Sequence, residues 1–411
     1  MKTIRNIIKN IVIIALVFLT LLQTGRLWFG APIDKNFFRT IINQMTVPVE
    51  DFPETAYLLL PYRIISGNGD FFWISYSDAS ESGGMQTVLD ILDELFKDAL
   101  YAREKEPDFS ALSPCLIFEY AVPVPADIFC EIILQTPKRI QDEAGIITDH
   151  IASVGRIVFM PIADELVGVF FTDAYSGKSY EYSVRITDAI YDSLTKTINR
   201  ESGVKYTGYP FIPYVKAPID YTVLRAVNPY MSSGGTLTLR SVERELALLF
   251  SDNPITFSAP DDNSFRFTND ANVVCRYNLS NHLIEYSDYS RIETDKSNSF
   301  AENFAVARRF IERDNIQHDF SLAAYSFNGE EHVFYFSLAV LDFPILIIGE
   351  ETPYFIEITA QRQKVVKYQR YAHYFVPHEK AEFSSERGDI EVLGYGYEAG
   401  QGLVYLSAGK H

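Results

Sequence analysis

Hydrophobic and polar positions along this chain follow several different patterns, and each marks a different kind of element. Near the amino end there is no period: residues 11–19 form an unbroken apolar run, Leu21 and Leu22 extend it, Lys9 and Arg26 bracket it, and Trp28-Phe29 closes it. At about 1.5 Å per helical residue, 7–29 spans about 34 Å, enough for a hydrocarbon core of about 30 Å if the two cations snorkel to its faces. Across 86–101 the period is helical, with Val88, Leu92, Leu95, Phe96 and Ala99 opposite Asp93, Glu94, Lys97 and Asp98. Short apolar or alternating runs predict strands at 57–60, 71–76, 116–120, 156–160, 166–172 and 180–186. Thr187 then caps a helix carrying Ile190, Leu194 and Ile198. Residues 33–202 therefore read as one α+β domain.

Between 203 and 235 the texture changes to prolines, tyrosines and glycines, which marks a linker. A helix over 242–250, capped by Ser241, follows with strands at 265–267, 273–277 and 283–286. The plan then restarts. Ser299 and Glu302 make a capping box ahead of Phe300, Phe304, Ala307 and Ile311, and strands follow at 320–327, 332–340, 354–359 and 365–371. Residues 274–286 and 356–368 can be laid against each other, ending in Leu283-Ile284-Glu285-Tyr286 and Val365-Val366-Lys367-Tyr368. The expected fold is α+β: a cytoplasmic tail (1–6), one transmembrane helix (7–29) and three extracytoplasmic domains (33–202, 203–295 with the linker 203–235, and 296–411). The last two are tandem helix-plus-antiparallel-meander units.

Charge sets the orientation. Lys2, Arg5 and Lys9 precede the span with no acidic residue, whereas Arg26, Lys35 and Arg39 after it are diluted by Asp34, Asp51 and Glu54. The amino end is thus expected in the cytoplasm. A cleaved signal peptide is the rival reading, but no small-x-small site follows the apolar core. A composition of 47% hydrophobic and 14% aromatic residues fits a folded exterior. Net charge is −18, and the first 30 residues hold four basic and no acidic side chains, which leaves −22 for the rest. Nucleic acid and anionic polymers are poor partners for such a surface. Cys115, Cys130 and Cys275 form no metal-type cluster; they read as buried thiols, with a Cys115–Cys130 disulfide as the alternative in an exported chain.

Candidate chemistry is sparse. Ser193-Leu194-Thr195-Lys196 and Ser251-Asp252-Asn253 imitate two parts of a penicillin-recognising acyl enzyme, but no Lys-Thr-Gly follows and Ser193 falls within an amphipathic helix. His373 and His378, five apart, have the wrong spacing for adjacent helical metal ligands. Scattered carboxylates nominate no glycosidase pair. No catalytic, cofactor or metal residue is expected. Thr20, Gln23 and Thr24, at i, i+3 and i+4 on the membrane helix, form a polar face suited either to a neighbouring helix or to the headgroup region.

The opening Lys2-Thr3-Ile4-Arg5, the span ending Leu21-Leu22-Gln23-Thr24-Gly25-Arg26-Leu27-Trp28-Phe29, the 354–371 hairpin and the terminal Gly394-Tyr395-Gly396-Tyr397 together resemble the YycH (WalH) family. These are membrane-anchored extracytoplasmic regulators of the YycG-YycF (WalK-WalR) two-component system of Gram-positive Firmicutes. The resemblance implies a non-enzymatic protein whose anchor, with that of a YycI-like companion, contacts the transmembrane helices of the sensor histidine kinase and so affects cell-wall metabolism. It carries over no site residues. The competing reading is an exported module, tethered to the membrane, that binds wall fragments or a protein. That module needs an exposed aromatic groove, for which the stretch from Tyr209 to Tyr230 is the source.

Overall fold

The computed structural model describes residues 54–409 except 68–70, 77–83, 99–101, 110–113, 164, 200–203, 208–211, 214–218, 232–236, 251–255, 262, 270–271, 315, 317, 350–353, 384–391 and 399–401. Among the described residues it is a mixed helix and sheet protein built on two large sheets. No described helix is long and apolar enough to cross a membrane, and the span read at 7–29 lies outside the described residues.

Sheet I has, among the described residues, nine antiparallel strands, with Cys115–Pro125, Ser153–Ala163 and Leu166–Asp173 near its middle and the short Arg103–Glu104 and Ile212–Pro213 at its ends. Helices Gly84–Asp98 and Asp188–Ile198 cover it, because their apolar stripes find a core of Ile65, Ile117, Val158 and Phe171. Thr187 Oγ1 accepts from the Ile190 N–H at 3.5 Å, the cap expected from the sequence. Helix Ala126–Leu134 had no sequence reading of its own; it is apolar on most sides and buries Phe129, Cys130, Ile133 and Leu134.

One expected strand is a helix. Residues 57–59 belong to a 3-10 turn, Glu54–Leu59, with Leu60 and Pro61 just beyond. A strand would alternate, yet the adjacent Leu58 and Leu59 are both buried, which a helical turn allows. A second helix begins earlier than expected, at Leu239: Thr238 Oγ1 accepts from the Ser241 N–H at 3.2 Å, so Thr238 takes the capping position and Ser241 lies inside.

Among the described residues sheet II has thirteen strands. Its first meander, from Thr256–Asp261 to Leu283–Asp288, joins the second, Asp319–Phe327, His332–Val340, Ile356–Gln361 and Lys364–Tyr371, through an antiparallel pairing of the two closing strands. That pairing is symmetric. Tyr286 faces Tyr368, and residues equally far from them pair as well, Leu283 with Tyr371 and Ser287 with Lys367. The two endings aligned from sequence therefore meet about a local two-fold axis. A β-bulge between Thr359 and Ala360 confines the correspondence to the closing strands. Phe250, behind the first helix, packs 6.5 Å from Tyr286, and Phe310 of helix Phe300–Arg313 packs 5.1 Å from Tyr368. That second helix keeps its capping residue: the Glu302 N–H reaches Ser299 Oγ at 3.4 Å, and Ser299 Oγ bonds Glu302 Oε2 at 2.7 Å.

The sheet continues past the two meanders. Ile219–Val227, in the stretch read as a linker, is a strand paired with Tyr374–Phe383 and Leu403–Gly409. Phe343–Ile347 pairs in parallel with Val392–Tyr397. There the Gly-Tyr-Gly-Tyr signature has a packing role: Tyr395 and Tyr397 point into the core, and a Cβ on Gly394 would come 2.7 Å from the Pro344 carbonyl oxygen. Only glycine lets the neighbouring backbone approach so closely.

Candidate functional site

Thr20, Gln23 and Thr24 lie outside the described residues, as do Ser251, Asp252 and Asn253. Ser193 lies on its expected helix, where its Oγ is 2.7 Å from Thr87 Oγ1 on the facing helix, so the hydroxyl ties two helices together. His373 and His378 do not act together. His378 is exposed and lies 3.0 Å from Arg225, whereas His373 is buried with its Nδ1 2.7 Å from Tyr397 Oη. All three cysteines are buried and unbridged; burial pushes the thiols of Cys115 and Cys130 up to about 12 and that of Cys275 higher still. Such thiols are not nucleophiles at neutral pH.

The structure instead assembles a polar centre from segments distant in sequence. Arg370, on strand Lys364–Tyr371, points into the core. Its Nη2 donates to Asp314 Oδ1 at 2.8 Å and to Tyr230 Oη at 3.1 Å, its Nε donates to Asp314 Oδ2, and its Nη1 donates to the Tyr371 carbonyl at 2.9 Å. Tyr368 Oη adds a further bond to Asp314 Oδ2 at 2.5 Å. Burial pulls the Arg370 pKa down, but the Asp314 carboxylate and the neighbouring tyrosines more than reverse this, so the guanidinium stays charged. Asp314 caps the carboxy end of helix Phe300–Arg313, where the helix dipole opposes a carboxylate; Arg370 offsets that opposition.

Beside this pair lies a chain of neutral groups. Asn228 Nδ2 donates to Tyr277 Oη at 2.6 Å, and Tyr277 Oη is 2.8 Å from Nδ1 of His282, whose ring stands edge-on to His373 at 4.9 Å. His318 Nε2 accepts from the Phe375 N–H at 2.8 Å, which places its proton on Nδ1. Burial lowers His318 to about 4, and burial together with His282 does the same to His373; burial also lowers His282. All three are uncharged at neutral pH.

A cavity of about 60 Å³ opens here, lined by Tyr230, Asp314, His318, Arg370, His373 and Tyr374. It has room for a few waters. Arg370 is already saturated by Asp314, so the cavity presents no uncompensated charge. Among the described residues no cluster of three or more His, Cys, Asp or Glu could hold a metal ion. What the arrangement does is fix five segments, around residues 230, 280, 316, 370 and 397, against one another. The sequence held one sign of it: Val366, Tyr368 and Arg370 alternate in phase along a strand and all are buried, so a charge occupies a core position.

No protein-family model matches the chain, and no curated protein matches it. Among solved structures, the crystal structure of YycH from Bacillus subtilis superposes on 86% of this chain and 95% of its own, with a TM-score of 0.51 at 9% sequence identity. This chain has the YycH fold. The resemblance read from the two ends of the sequence is matched by the fold between them. At 9% identity the likeness lies in the backbone course and assigns no side chain a role.

Proposed function

We propose that this protein is a non-enzymatic, membrane-anchored regulator of a sensor histidine kinase that controls cell-wall metabolism. The observation that carries the reading is the YycH fold, extending over 95% of the solved YycH chain. In this reading residues 7–29 form the transmembrane helix with the amino end in the cytoplasm, and 33–202, 203–295 and 296–411 form three extracytoplasmic domains. The anchor, through Thr20, Gln23 and Thr24, contacts the transmembrane helices of a YycG/WalK-like kinase together with a YycI-like companion. The kinase has two states, and the anchor binds them unequally, since equal binding would shift nothing. The exported-module reading needed an aromatic groove between Tyr209 and Tyr230. Tyr221 and Tyr230 are buried, which removes those two from such a groove, while Tyr209 and Tyr214 lie outside the described residues.

The test is a deletion strain scored for kinase-dependent transcription and wall phenotype, complemented by the full chain, the anchor alone or a soluble exterior alone. Full rescue by the soluble exterior would refute a membrane contact. Replacing Thr20, Gln23 and Thr24 by Leu is expected to keep membrane insertion while abolishing crosslinked recovery of the kinase; unchanged recovery rules out that face.

A further inference from the structure

The 3-10 turn Glu54–Leu59 touches both sheets. Toward sheet I, Leu58 and Leu59 are buried, and the Leu59 carbonyl accepts from Tyr120 Oη at 3.0 Å. Toward sheet II, the Tyr57 ring lies over the guanidinium of Arg308, on helix Phe300–Arg313, at 4.0 Å. Phe320 lies over the same guanidinium at 3.8 Å, and Glu312 Oε1 accepts from its Nε at 3.3 Å. A planar cation between two rings is a geometry that arginine fills and lysine does not. A second bridge between the sheets lies at the hairpin tip Leu341-Asp342. There Ser75 Oγ donates to Asp342 Oδ1 at 2.8 Å and the Tyr76 N–H reaches the Asp342 carbonyl at 3.4 Å. Both tip residues have positive φ, 52° and 67°, without being glycine, so the hairpin holds a strained turn at the point where it meets sheet I.

These two bridges differ in their place along the chain. The hairpin is internal to sheet II. The 3-10 turn comes directly after residues 1–53, the segment that carries the span. We propose that Glu54–Leu59 is a transmission element: the seating of Tyr57 on Arg308 senses how the two sheets are set and passes that setting to the anchor, and a pull on the anchor unseats it in return. The proposal rests on the reading of 7–29 as an anchor. Its coupling is a property of the exterior and is reciprocal by thermodynamic necessity.

Hydrogen exchange on the full chain in lipid nanodiscs tests it. Arg308→Lys keeps the charge and loses the stack; amides of 57–60 are expected to exchange about tenfold faster. Tyr57→Leu, made on the other partner, is expected to speed exchange both in Asp319–Phe327 and at the 341–342 tip, which Tyr57 does not touch. Strands Ser153–Ala163 and Leu166–Asp173 should keep parental protection in both variants, which separates unseating from unfolding. An effect of Tyr57→Leu confined to residues in contact with it would overturn the proposal. So would parental exchange at 57–60 in Arg308→Lys. In cells, a flexible Gly-Ser insert of about six residues between Pro53 and Glu54 leaves anchor and exterior intact and is expected to reduce the output to that of the anchor alone. Parental output would overturn transmission. A full-length parent that leaves kinase output unchanged sinks the regulator reading, while the exchange experiment still decides the coupling.

Discussion

The two sheets are held together by different physics. In sheet I the deepest positions are hydrocarbon: Ile65, Ile117, Val154, Ile157, Val158 and Phe159 have no exposed surface, and its buried carboxylate, Asp173, accepts from the nearby backbone N–H groups of Ser153 and Ser176 rather than from a distant side chain. In sheet II the corresponding depth holds Arg370, Asp314, His373, Asn228 and a set of hydroxyl-bonded tyrosines. Dispersion and burial are non-directional, so a core like that of sheet I accepts many arrangements of roughly the right volume. A network of bonds to one guanidinium accepts one arrangement, because a half-satisfied buried polar group is costlier than none. Specificity of arrangement thus concentrates in sheet II, where the polar centre joins Tyr230 to Arg370 across 140 residues of chain.

The sharpest way to break this contrast is to remove one partner of the buried pair. Arg370→Met takes the cation away from the buried Asp314 carboxyl and is expected to cost about 4 kcal/mol in urea unfolding. Adding Asp314→Leu should return most of that loss, whereas two distant core changes in sheet I should simply add. Additive losses for the pair would erase the distinction. A smaller effect, about 2 kcal/mol, is expected for Gly394→Ala, which drives a methyl into the Pro344 carbonyl and parts the parallel pairing.

Acid should also separate the two regions. His318 and His373 sit near 4 in the folded state against an ordinary 6.5, so folding excludes their protons. Stability is then full above about pH 6.5, falls as pH drops from there toward 4, and levels off below. Hydrogen exchange at pH 5 is expected to show strands Lys364–Tyr371 and Tyr374–Phe383 loosening before Ser153–Ala163; simultaneous loosening would count against the contrast. The smallest effect is expected in sheet I: Ile157→Val should cost about 1 kcal/mol with no pH dependence, read from the same urea curves at pH 7 and 5.

The same contrast governs how much could be read from the sequence. Sheet I announces itself locally. Its helices show a 3.6-residue stripe, its strands are short apolar runs, and Thr187 caps where its side chain predicts, as Ser299 does in sheet II. The polar centre has no local signature, because Arg370 and Asp314 belong to separate elements and His282 meets His373 only once sheet II has closed. His373 and His378, five apart, have the wrong spacing for a ligand pair, and the fold does separate them, burying one and leaving the other in solvent. Ile219–Val227 was hidden by the prolines around it, since its partners lie far down the chain. Even the failure at 57–60 is physical: a run of apolar residues does not distinguish a turn wedged between two sheets from a strand inside one. The amino-terminal face of Thr20, Gln23 and Thr24 rests on the sequence alone.

The symmetric pairing of Leu283–Asp288 with Lys364–Tyr371 carries one more consequence. It is an isologous contact, the kind two copies of a protein make across a dyad, but formed within a single chain. Strand edges satisfied in cis cannot be offered in trans. The outermost strands along the path of sheet II are Thr256–Asp261 and Tyr374–Phe383, and the second carries Pro377, His378, Glu379, Lys380 and Glu382, a proline and charges of the kind that discourage a stranger from adding on. By joining its two meanders to each other, the chain has taken the facing edges of Leu283–Asp288 and Lys364–Tyr371 out of reach of another copy of itself.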